Sequence, residues 1–305
     1  MVGPSFMSQD EGEFFMGEKL GFIGLGKMGL PLSKSLMADG HEVSGYDIDP
    51  ARGQMLEKAG GFSAASGREV AERSDIVFTM LLKPEHIEEN TLGPAGIVSA
   101  GNKGLILIEM STMHPEWSAG LAEKLAAQGV KMVDAPVSGT VPHVESRTLA
   151  YMVGGKKEVF ERILPVIAPL GKSVTYTGKN GSACAMKLVT NLIVNAGVAL
   201  LSEGLLLGER SGLSKELMLE CLGSNAAASH VLDLKGEKIL DRDFTPHASV
   251  GIYVKDLGLC VDLAKDLGFD VPMTAAGLDM FQRAEAAGWK EDDCARVIEV
   301  YEDKD

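Results

Sequence analysis

The chain has 305 residues, 45% of them hydrophobic, and a formal charge of −14 from 29 basic and 43 acidic residues. That length and apolar content suffice for two cores rather than one. The acidic balance argues against nucleic acid and anionic membrane as partners, because their phosphates would be repelled. Cys184, Cys221, Cys260 and Cys294 lie at least 34 residues apart. They lack metal or redox spacing, and a reducing cytoplasm is the expected setting. The six histidines are equally scattered, so no metal site is expected.

Residues 1–17 read as an extension ahead of the fold; they lack the basic start and continuous apolar run of a secretory signal. An apolar run, Leu20–Ile23, then enters Gly24-Leu25-Gly26-Lys27-Met28-Gly29. In such a turn the first glycine permits the strand-to-helix reversal and the second lets a pyrophosphate approach bare backbone. The third lets helix and strand pack closely, and the helix N-terminus favours phosphate. A second apolar segment, Glu42–Tyr46, ends in Asp47, where a carboxylate would accept bonds from an adenosine ribose. Further strands are expected at Ile76–Leu81, Leu105–Glu109, Lys131–Asp134, Ala150–Val153 and Ser173–Tyr176. Helical patterns at Lys27–Ala38, Pro50–Ala59, Arg68–Glu72, Pro115–Gln128 and Lys157–Ile167 alternate with them. That alternation predicts an α/β fold with a doubly wound, mainly parallel sheet.

After Gly178 the strand pattern stops. Gly181–Arg210 is one long helical pattern, followed by Lys215–Leu222, Lys255–Leu267 and Ala275–Ala287. The expected organisation is a dinucleotide-binding domain over 18–179 and an all-helical domain over 180–305, entered by the long helix. Leu188–Leu207 is apolar but carries Asn191, Asn195 and Glu203, so it reads as a buried helix rather than a membrane span.

Ligands of such sheets bind beyond the carboxyl ends of the strands. One end carries Ser111 and Thr112; another carries Asp134-Ala-Pro-Val-Ser-Gly-Thr140. Amides and hydroxyls of Ser138, Gly139 and Thr140 suit a carboxylate, and the same residues suit an ordinary Pro-Gly loop. On the long helix Lys187 and Asn191 are four apart and share a face. Buried, the lysine would have a lowered pKa and serve as a general acid/base; with its amine in solvent it would be structural.

Four motifs in order, namely the Gly24–Gly29 loop, Asp134–Gly139, the helix from Gly181 to Asn191 and Lys255-Asp256-Leu257, resemble those of the β-hydroxyacid dehydrogenases. The resemblance runs from about Lys19 to Tyr301. It implies a Rossmann-type domain, a helical second domain, and reversible oxidation of a small 3-hydroxy acid by a nicotinamide cofactor. Carried over by residue, Lys187 exchanges the hydroxyl proton, Asn191 orients substrate and lysine, and Ser138, Gly139 and Thr140 hold the carboxylate. Leu81, Leu82 and Thr112 line the cofactor, and Lys255 lies over it from the second domain.

The chain departs from the family pattern at four places. Thr140 replaces the last glycine of a usual Ser-Gly-Gly, Thr190 the first of two asparagines, and Leu82 a proline; Ala248 stands where many relatives have an aromatic residue. The substrate is therefore expected to differ from 3-hydroxyisobutyrate or to be bulkier. Asp47 would repel a 2′-phosphate, so NAD is expected over NADP. The apolar long helix and the family habit imply a homodimer or homotetramer. An alternative is a relative acting on a non-carboxylate analogue such as a sulfonate or an imine. Relatives that reduce imines usually replace the catalytic lysine, so Lys187 counts against that chemistry, and a decarboxylating phosphosugar-acid dehydrogenase would have a longer helical domain. A catalytically silent NAD-binding interaction module is the contrasting reading, and it predicts loss of that lysine.

Overall fold

The computed structural model describes residues 17–302. The expected extension therefore lies, apart from Gly17, outside the described residues. In chain order the first domain comprises β1 (Lys19–Ile23), α1 (Gly29–Ala38), β2 (Glu42–Tyr46), α2 (Pro50–Lys58), β3 (Phe62–Ser63), α3 (Gly67–Glu72), β4 (Ile76–Thr79) and α4 (Pro84–Leu92). It continues through β5 (Ile106–Glu109), α5 (Pro115–Ala127), β6 (Lys131–Asp134), β7 (Val137–Ser138), α6 (Val141–Glu145), β8 (Leu149–Gly154), α7 (Lys157–Ile167) and β9 (Gly171–Gly178). Every residue of β4 and β5 is buried, which is why these strands read as unbroken apolar runs: helices cover both faces of the sheet. Local chemistry fixes the helix starts. The Asp49 carboxylate accepts from the Ala51 amide at 3.0 Å ahead of α2, and Ser66 accepts from the Glu69 amide ahead of α3.

The sheet order is β3-β2-β1-β4-β5-β6-β8-β7, with β9 added on β8. Pairing is parallel from β3 to β6 and between β8 and β9, and antiparallel where β8 meets β6 and β7. The order reverses between β1 and β4, and the crevice at such a switch point is where open α/β sheets take ligands. The strands expected from sequence agree to within a few residues. The two-residue β3 and β7 are too short to show a period, and α4 buries only Ile87 and Thr91, leaving no helical stripe to read.

The second domain holds α8 (Ser182–Arg210), α9 (Lys215–Gly223), α10 (His230–Leu240), α11 (Val250–Asp266), α12 (Pro272–Ala286) and α13 (Val297–Glu302). Among the described residues its one β feature is an isolated bridge between Ser249 and Asp293. α8 is long and apolar enough to cross a membrane by those criteria alone. Here Val198, Ala199, Leu205 and Leu206 enter one core with Ile239, Leu257 and Phe281, while Met186, Val189, Ile193, Leu200 and Leu207 are exposed.

The two domains are tied at the start of α8. The buried Asp134, at the end of β6, accepts from the amides of Gly181 (2.8 Å), Ala183 (3.0 Å) and Cys184 (3.1 Å). A carboxylate thus caps the positive end of a 29-residue helix from 47 residues away. Gly181 has φ 87°, and a β-carbon there would lie 2.6 Å from the Pro115 carbonyl oxygen, so only glycine fits.

Candidate active site

Each glycine of the first loop performs a separate task. Gly24 has φ 96°, and a β-carbon on it would sit 2.4 Å from the Met80 carbonyl oxygen. A β-carbon on Gly29 would meet the Gly24 carbonyl oxygen, locking helix against strand. Gly26 differs: nothing of the protein lies within 4 Å of where its β-carbon would be. The backbone is bare and faces open space, as a pyrophosphate requires. Lys27 and Met28 then lead into α1, whose first residue is Gly29.

Asp47 is half-buried and pinned by two amides, Leu25 N–H at 2.7 Å and Asp49 N–H at 2.9 Å. It thereby links the glycine loop to the end of β2 and forms one wall of a groove of about 390 Å³ that also includes Ile48, Ser63 and Ala65. Arg52, five residues on, lies 3.8 Å from the exposed Asp49 carboxylate. On the next strand end the Leu81 amide donates to Ser111 Oγ at 2.9 Å, and Leu82 projects into solvent. The glycine cradle, the carboxylate at the end of β2 and these strand ends together fit a dinucleotide.

The reactive face is assembled from both domains. Lys255, on α11, donates to the Thr112 carbonyl at 2.9 Å and pairs with Asp256 at 2.9 Å. The other carboxylate oxygen of Asp256 accepts from Asn191 Nδ2 at 2.7 Å. Lys187, one turn before Asn191, has no hydrogen-bond or ion-pair partner among the described residues, and burial lowers its pKa. The Asp256 charge opposes that shift and the Lys255 charge adds to it. An amine whose pKa burial has lowered gives up its proton more readily than a solvated lysine, which is what a general acid/base needs.

Ser138, Gly139 and Thr140 close β7 and open α6. Gly139 has φ 137° and is exposed. The Thr140 amide is already engaged: it donates to His143 Nδ1 at 3.1 Å. No hydrogen bond joins this loop to Lys187 among the described residues. At one of the positions expected to depart from the family pattern, the side chain is turned into its own helix: Thr190 Oγ1 donates to the Met186 carbonyl at 3.0 Å.

Three residues gain a role that sequence reasoning had not given them. Asp256 is the hub joining Asn191 to Lys255; its adjacency to Lys255 gave no sign of which helix it would face. Asp134 lies in a matched motif, but its capping of α8 is a long-range contact. Glu109, at the end of β5, is fully buried, and burial pushes its pKa from the ordinary 4.5 up to about 8 against the Ser111 hydrogen bonds. One oxygen accepts from the Ser111 amide at 2.8 Å and the other has no partner.

Residues 19–178 match the NAD binding domain of 6-phosphogluconate dehydrogenase. Residues 181–301 match the NAD-binding domain of NADP-dependent 3-hydroxyisobutyrate dehydrogenase. The 2-(hydroxymethyl)glutarate dehydrogenase of Eubacterium barkeri is 36% identical over 93% of this chain and 95% of its own length. The 2-hydroxy-3-oxopropionate reductase of Escherichia coli is 34% identical over 93% of this chain and 97% of its own. The solved 3-hydroxyisobutyrate dehydrogenase of Mycobacterium tuberculosis superposes with a TM-score of 0.86 at 26% identity, covering 94% of this chain and 99% of that one. The chain belongs to the β-hydroxyacid dehydrogenase family and is an NAD(P)-dependent oxidoreductase.

Proposed function

We propose that the protein moves a hydride between NAD and a small 3-hydroxy acid, or the corresponding semialdehyde, with Lys187 as the general acid/base. The observation that carries this reading is an unpartnered, half-buried lysine beside Asn191 and Asp256, at a junction that Lys255 spans to reach the cofactor-side Thr112. When bound, the nicotinamide supplies the hydride acceptor for oxidation and the donor for reduction. Gly24 to Gly29 and Asp47 would hold the dinucleotide, and Leu81, Leu82, Thr112 and Lys255 would line it.

In oxidation neutral Lys187 takes the hydroxyl proton, the hydrogen on the carbinol carbon departs with its bonding pair as hydride, and the former O–H pair forms the carbonyl. In reduction its ammonium returns that proton to the forming alkoxide. Asn191, oriented by Asp256, holds the reacting oxygen against Lys187. Ser138 and Gly139, with Thr140 beside them, bind the carboxylate through polar groups rather than a full charge. Retention of Lys187 favours this reading over that of a silent cofactor-binding module.

NAD is the proposed cofactor. The Asp47 carboxylate walls the groove where the ribose 2′-position would lie, and a 2′-phosphate there would be repelled. A homodimer or homotetramer is proposed, formed through the exposed side of α8, and the protein is placed in the cytoplasm. The experiment is a spectrophotometric screen at equal NAD and NADP concentrations. Its 3-hydroxy acids are 3-hydroxyisobutyrate, glycerate, L-threonate and 2-(hydroxymethyl)glutarate, with 4-hydroxybutyrate, whose hydroxyl lies one carbon further on, as a chain-length control. Turnover of a 3-hydroxy acid with a higher kcat/KM for NAD is the expected result; a preference for NADP overturns the cofactor choice, and silence with bound cofactor overturns the substrate class.

A further inference from the structure

In the first turn of α6, directly behind the carboxylate loop, stands a histidine with an unusual assignment. His143 Nδ1 accepts the Thr140 amide at 3.1 Å and lies 3.2 Å from the Thr140 hydroxyl. A glutamate or glutamine ordinarily fills this place in a capping box. Because Nδ1 accepts, the neutral ring carries its proton on Nε2. Nε2 makes no hydrogen bond among the described residues and is not a buried atom, so this N–H is available. The imidazole is pressed against the loop: a β-carbon on Gly139 would fall 3.0 Å from His143 Cβ and 3.2 Å from Cγ. Gly139 thus admits both its own φ of 137° and the ring beside it.

We propose that His143 sets substrate specificity by withdrawing the Thr140 amide from the carboxylate subsite and offering its own Nε2–H to a second carboxylate on the substrate. This rests on the reading of Ser138–Thr140 as the carboxylate-binding loop. The chemistry follows from the donor inventory. Of the three backbone amides at the loop, the Thr140 amide is spent internally, which weakens the hold on a simple monoacid. The ring that spends it presents a donor a few bonds away, where an anionic group at the far end of a longer acid is recognised by a charge-assisted hydrogen bond. The preferred substrate class is therefore a 3-hydroxy diacid.

The test compares wild type, His143→Ala and His143→Gln in the NAD-loaded full-length protein. Calorimetric binding of glutarate and of propionate is measured beside KM and kcat for a 3-hydroxy diacid and for 3-hydroxyisobutyrate. Wild type is expected to bind glutarate more tightly than propionate. His143→Ala is expected to weaken glutarate about tenfold, the worth of one hydrogen bond to a charged group, while propionate is unchanged or tighter. The same split is expected in KM, with kcat nearly constant. Glutamine can accept the Thr140 amide and donate outward, so His143→Gln is expected to restore the preference. Equal effects on both acids, no effect on either, or failure of glutamine to restore the preference overturns the proposal, as does a wild type that binds the two acids equally or neither. Lys187-dependent turnover of a 3-hydroxy acid is read separately and survives each of those results.

Discussion

Replacing Glu109 by glutamine should remove one titration from the folding equilibrium. Glu109 is fully buried, with its carboxyl pushed from 4.5 up to about 8. Below pH 4.5 the folded and unfolded chains both hold this proton. Between 4.5 and 8 the unfolded chain has released it and the folded chain has not, so stability falls as pH rises, by roughly 1.4 kcal/mol per pH unit. Above 8 both states are ionised and the loss is complete, on the order of 5 kcal/mol in all. Glutamine is nearly isosteric, can keep the bond from the Ser111 amide, and does not titrate. Urea unfolding of wild type and Glu109→Gln from pH 5 to 9.5 should therefore show a gap that widens in favour of the variant by roughly 4 kcal/mol up to pH 8 and then levels. The absolute gap also contains the cost of an unpartnered amide NH₂, so the slope is the quantity to read. A gap that does not change with pH would mean that Glu109 is ionised in the native protein and that its burial has been misread.

Other expectations follow from single contacts. Gly26→Ala should melt like wild type yet lose NAD binding, because its β-carbon meets no protein atom. Gly29→Ala should instead lower Tm, because its β-carbon runs into the Gly24 carbonyl; thermal melts with and without NAD separate the two. Asp256→Asn keeps an oxygen for Asn191 but removes the charge that holds the Lys187 pKa up. The acid limb of kcat/KM for oxidation, which requires neutral Lys187, should then move to lower pH. Asp134→Ala leaves three amides at the start of α8 without their acceptor and should cost about 2 kcal/mol or more in chemical denaturation. In light scattering, Ile193→Glu should shift the protein toward monomer if α8 forms the contact between copies.

Much of the fold was legible because its signals are local. The runs at β4 and β5 are apolar because both faces are covered, and the glycines at 24, 26 and 29 are spaced by the turn they make. Elements with weak local signals do not stand out in the sequence: β3 and β7 are two residues each, and α4 has few buried positions; α10 does carry a local start signal, the Ser229 cap three residues before Leu232. At the site, Lys187 and Asn191 could be paired from their helical spacing, and Lys255 came from family resemblance. The partner that joins them, Asp256, faces Asn191 across 65 residues of chain. The Thr140–His143 contact is three residues long and was in principle readable as a capping box. Histidine in the place of glutamate or glutamine concealed it.

In the proposed mechanism Lys187 carries the proton. Its most direct test follows the absorbance of reduced nicotinamide with the preferred 3-hydroxy acid, wild type beside Lys187→Ala, while NAD affinity is measured on both. Loss of several orders of magnitude in kcat with unchanged NAD binding is the result expected when a general acid/base is removed, since such groups contribute about 10²–10⁴-fold. Equal turnover by the variant would contradict the mechanism outright and return Lys187 to a structural role.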